Sequence, residues 1–74
     1  MSKAIDLTNE LKAVYASRNL ADKKAALGVL IDRSHAKAET KRKALLAVTT
    51  LMTAYKLDKF ATNYVLSGEG MKVQ

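Results

Sequence analysis

The chain has 74 residues, with 13 Lys and Arg against seven Asp and Glu, no Cys and no Pro, for a formal net charge of +6. Such a length makes one domain, 1–74, and buries only about 60% of the surface that its unfolded form exposes. With no Cys, disulfides and zinc–thiolate sites are excluded as staples, so a homodimer is one expected remedy for a small core.

Alanine, leucine and lysine dominate, which favours helix. No uncharged apolar run approaches the roughly 18 residues of a spanning helix. The opening MSKAIDLTNE carries acids where a secretory signal has its apolar region. A soluble, cytoplasmic protein without membrane contact is expected. The charge balance points to an acidic partner.

The first helix is expected over about 3–17. Ser2 is a candidate cap, and Asp6 suits the first turn. Leu7, Leu11 and Val14 recur at helical spacing, with Ile5 and Tyr15 widening the face. Tyr15 reads as half-buried core rather than a base-stacking side chain.

The second helix is expected over about 20–33. Asn19 caps it, with Asp22 in the place of the Glu or Gln of a capping box. Leu20, Leu27, Leu30 and Ile31 mark its buried face, with Ala26 beside them, and Lys23 and Lys24 face away. Gly28 costs about 1 kcal/mol relative to Ala inside a helix. That cost suggests either close approach of a neighbouring backbone or an unoptimised position.

The third helix is expected over about 35–56, with Ser34 as its cap. A single rod from Asn19 to Lys56 is the alternative. At 100° per residue, Val48, Met52 and Tyr55 fall within about 60° of Lys37, and Leu45 within about 80°. Lys41 falls at about 40°, on the core line, so its stem must snorkel or its turn must leave the core. Leu46, Thr49, Thr50 and Thr53 make the far face, a candidate protein interface. The last helix is expected over about 58–67, capped by Asp58, with Phe60, Ala61, Tyr64 and Val65 inward. Gly68 ends it, and 69–74 is a frayed tail. The fold class is therefore all-α, a small bundle of three to four helices, with a dimeric form open.

Catalytic parts are missing. His35 is the lone His, with Asp32 as its nearest carboxylate, and no nucleophile or Gly-rich loop accompanies it. The seven acids lack metal-ligand spacing. No enzyme activity and no cofactor are expected.

Arg33, Lys37, Lys41, Arg42 and Lys43 place five cations in eleven residues, opposed by Glu39. Positive charge at a helix start opposes the helix dipole, so helix stability does not account for the cluster. Free N–H groups and side-chain charge together suit an anion. The expected function is a small accessory or regulatory protein that contacts the phosphates of DNA or RNA through this run. The alternative is a helical inhibitor or adaptor that docks on a larger protein.

Overall fold

The computed structural model describes residues 6–67. They form four helices and no strand: α1 (Thr8–Ala16), α2 (Leu20–Arg33), α3 (Ala38–Thr49) and α4 (Ala54–Leu66). No helix among the described residues is long and apolar enough to cross a membrane. Ser2, Ile5, Gly68 and the tail lie outside the described residues.

The first helix begins at Thr8 rather than near residue 3, because Asp6 Oδ1 accepts the Thr8 N–H at 2.9 Å. An Asp held in this way mimics a turn of backbone and starts a helix behind itself. The bond also holds the Asp6 carboxyl below its ordinary pKa, through the Thr8 contacts first, against a slight opposing desolvation. Its contribution to stability is therefore present above about pH 4 and is lost as pH falls through the lower folded value.

α2 matches its expected span. Asn19 Oδ1 accepts the Asp22 N–H at 2.8 Å, and the Asn19 amide donates to the Asp22 carboxylate at 3.0 Å. At the other end Ser34 closes α2 instead of opening the third helix. Its hydroxyl donates to the Ile31 carbonyl at 2.5 Å, and Tyr64 Oη donates to Ser34 Oγ at 2.7 Å. This buried cap breaks the chain after Arg33, so the 19–56 rod does not form.

The expected 35–56 helix is cut at both ends. α3 starts at Ala38 and stops at Thr49. Thr49 and Thr50 turn their hydroxyls onto the carbonyls of Leu46 and Ala47, at 2.6 and 2.7 Å. Hydroxyls bonded three residues back compete with the helical ladder. Thr53 then accepts the Lys56 N–H at 3.2 Å and caps α4 five residues before the expected Asp58 cap. Asp58 sits inside α4, and Leu57, expected outside the helix, is fully buried.

The core holds Leu7, Val14, Leu27, Leu30, Ile31, Ala44, Val48, Leu57, Ala61 and Tyr64, with Leu11, Ala26, Leu51, Phe60 and Val65 packed at its edge. Each fully buried Leu or Ile is worth about 1.5–3 kcal/mol. The break at Thr50–Thr53 rotates the chain, so Met52 and Tyr55 leave the core line on which they were expected and point to solvent. Leu20 is also exposed.

α3 runs antiparallel to α2. Lys41 Nζ meets the Asp32 carbonyl at 2.8 Å, Leu45 lies over Gly28, and Lys24 Nζ meets the Thr49 carbonyl at 3.4 Å. Gly28 lies near a side chain rather than a neighbouring backbone. A Cβ there would meet only Leu45 Cδ2, at 3.9 Å, an ordinary contact. Gly28→Ala is thus expected to stabilise the fold by about 1 kcal/mol in urea denaturation. A loss of stability would show that α2 and α3 approach more closely than this geometry.

Candidate nucleic-acid interface

The five expected phosphate contacts run from the last turn of α2 to the second turn of α3, where Lys41, Arg42 and Lys43 leave the helix about 100° apart. Arg33 occupies the last turn of α2, where positive charge complements the dipole. Its Nε donates to Glu10 Oε2 at 3.0 Å, tying α2 to α1, while its side chain stays 57% exposed. Lys41 points along the core line, as its angle requires, and donates to the Asp32 carbonyl. The ammonium thus serves the C-terminus of α2, whose final carbonyls have no partner within their own helix.

This corrects one part of the sequence argument. Lys41 is unfavourable for α3 but favourable for α2, and the corner brings the two helix ends together. Fold stability therefore accounts for Lys41 and for part of Arg33. It does not account for the other three cations. Lys43 makes an i, i+4 pair with Glu39 at 3.6 Å, with both side chains mostly in water. Such pairs are worth at most about 0.5 kcal/mol. Lys37 and Arg42 are exposed and make no ion pair among the described residues.

Lys37 stands at the N-cap position of α3 without a side-chain cap bond. Ala38, Glu39 and Arg42 line an open depression there. Glu39 in the first turn supplies the opposing charge. His35 lies in the Ser34–Lys37 joint, half-buried. No group of three or more metal-ligating side chains occurs among the described residues.

The candidate protein interface is only partly a single face. Leu46 stands 69% exposed on α3, with Thr49 beside it. Thr50 and Thr53 lie past the end of α3, and the hydroxyls of all three threonines form the α3–α4 break described above.

The largest feature missed from sequence is Lys23. Expected to face away, it is only 4% exposed. Its Nζ donates to the Val14 carbonyl at 2.8 Å and the Tyr15 carbonyl at 3.4 Å, and pairs with Asp58 Oδ1 at 2.9 Å. One ammonium therefore closes the C-terminus of α1 and joins it to α2 and α4. The signal was present in the spacing: Lys23 lies four residues before Leu27 and seven before Leu30, on the buried stripe itself.

Comparison with protein-family models, with curated proteins and with solved structures finds no match.

Proposed function

We propose that the protein binds nucleic acid by its phosphate backbone, through the α2–α3 corner, as a small accessory or regulatory factor. The observation that carries this reading is the pair Lys37 and Arg42, two exposed cations at the start of α3 that make no ion pair among the described residues. Arg33 and Lys43 add to them, because a phosphate outcompetes surface ion pairs of such small worth. Contacts of this kind are largely independent of base sequence and weaken steeply with salt. Titration of a labelled duplex DNA and a hairpin RNA across a salt series tests the reading. Absence of binding at low salt rejects it.

A second reading has one observation in its favour. Val29, Leu45 and Leu46 are exposed apolar side chains on α2 and α3, the kind of surface that marks a protein contact when contiguous. A docking partner or a second copy would cover it. Light scattering over a concentration series tests the second copy, and a constant monomer mass excludes it.

A further inference from the structure

The break at Thr50–Thr53 that shortens α3 also turns Tyr55 outward. The ring is 72% exposed at the start of α4. Lys59, one turn on, holds its ammonium 5.9 Å from the ring centroid. Tyr55, Lys59, Thr62 and Leu66 share one stripe of α4 by their spacing of three and four residues. Beside Thr62 on this stripe lies Tyr15 of α1, 45% exposed. Thr62 Oγ1 donates to the Asp58 carbonyl at 2.9 Å, so the Tyr15 hydroxyl donates to Thr62 Oγ1. That bond fixes Tyr15 against α4 with part of its ring in water. The seven-residue rise from Tyr55 to Thr62 spaces the two tyrosines about 10 Å apart along α4. Lys56, Lys59 and Lys12 are exposed on the helices that carry them.

We propose that Tyr55 and Tyr15, with Lys59 between them, form a stacking site for unpaired bases of a single-stranded nucleic acid. The proposal rests on the nucleic-acid reading above and adds to its phosphate contacts a preference for strands with unpaired bases. Two exposed rings interleaved with cations offer what such a strand needs, a π face for a base and a charge for the adjoining phosphate. A duplex hides its base faces in its own stack, so these rings have nothing to meet there. Apolar burial does not account for the exposure of Tyr55. Its ring contacts a lysine, and its hydroxyl is not part of any cap or helix joint described above.

The site is separate from the α2–α3 corner. Asp58 of α4 pairs with Lys23 near the start of α2, whereas the corner lies past the end of α2. A strand reaching from one to the other would touch both.

The test is fluorescence anisotropy with labelled single-stranded RNA and DNA of mixed sequence, each against its own duplex. Tyr55→Ala is expected to weaken single-strand binding by about 5- to 100-fold, the range that one stacked base carries. Tyr55→Phe keeps the ring and is expected to retain affinity. Duplex affinity is expected to change by less than about twofold in either variant, since phosphate contacts carry it. Circular dichroism melting reports whether Tyr55→Ala keeps the fold. Unchanged single-strand affinity in Tyr55→Ala, or an equal loss on single strand and duplex, overturns the stacking site while leaving the α2–α3 corner in place. Absence of binding to either strand form by the unaltered protein overturns the site and the underlying reading together.

Discussion

Lys23→Ala is expected to destabilise the protein by about 3 kcal/mol, the cost of breaking a buried charge arrangement by removing one partner. Two effects add. The Val14 and Tyr15 carbonyls at the end of α1 lose their donor. Asp58 loses its cation while remaining partly buried, 37% exposed at its side chain. A domain of this size has only a few kcal/mol to lose, so the variant should be largely unfolded near body temperature. Urea denaturation followed by circular dichroism measures the change. Asp58→Asn should cost less, because the two carbonyls keep the ammonium. In a double-mutant cycle the two sites should couple, since they share one contact. A loss below about 0.5 kcal/mol for Lys23→Ala is what a surface lysine would give, and it would remove the three-helix role assigned to this ammonium.

Lys37→Glu combined with Arg42→Glu is expected to lower affinity for duplex nucleic acid about 100-fold at low salt, and to flatten the logarithmic salt dependence by about two units, one per cation removed. Neither side chain has a fold partner in the α2–α3 corner, so the melting temperature should hold. The two positions are chosen for that reason. Lys41 is a poorer probe of binding, because reversing it also removes the donor to the Asp32 carbonyl at the end of α2. A double variant that binds normally while folded would reject the corner as the contact surface.

Local chemistry that a single residue can satisfy was legible in the sequence. Asn19 and Asp22 mark the start of α2 because an Asn side chain closes an orphan N–H wherever a helix follows. Leu27, Leu30 and Ile31 mark its core face by period alone. The third and fourth helices were less legible, because no Gly or Pro separates them. Val48 to Tyr55 keeps a helical period across a break made by Thr49, Thr50 and Thr53, and hydroxyl-to-carbonyl bonds leave no trace in an apolar pattern. The density of threonines was the available signal, and it resembled a polar face.

Charge was misread in a different way. Lys23 and Lys41 both lie on buried stripes, and each reaches the C-terminal carbonyls of a neighbouring helix. A lysine on a core line therefore points to an adjacent helix end, a relation that only the tertiary arrangement reveals. Two of the protein's cations are thereby committed to the fold, and the candidate binding surface narrows to Arg33, Lys37, Arg42 and Lys43.

The most direct test of that surface is the salt dependence of the unaltered protein's affinity for a labelled duplex. Four available cations give an expected slope of log affinity against log salt of about −3.6, at about −0.9 per phosphate contact. A slope near zero, or no measurable binding at low salt, would contradict phosphate recognition by the α2–α3 corner.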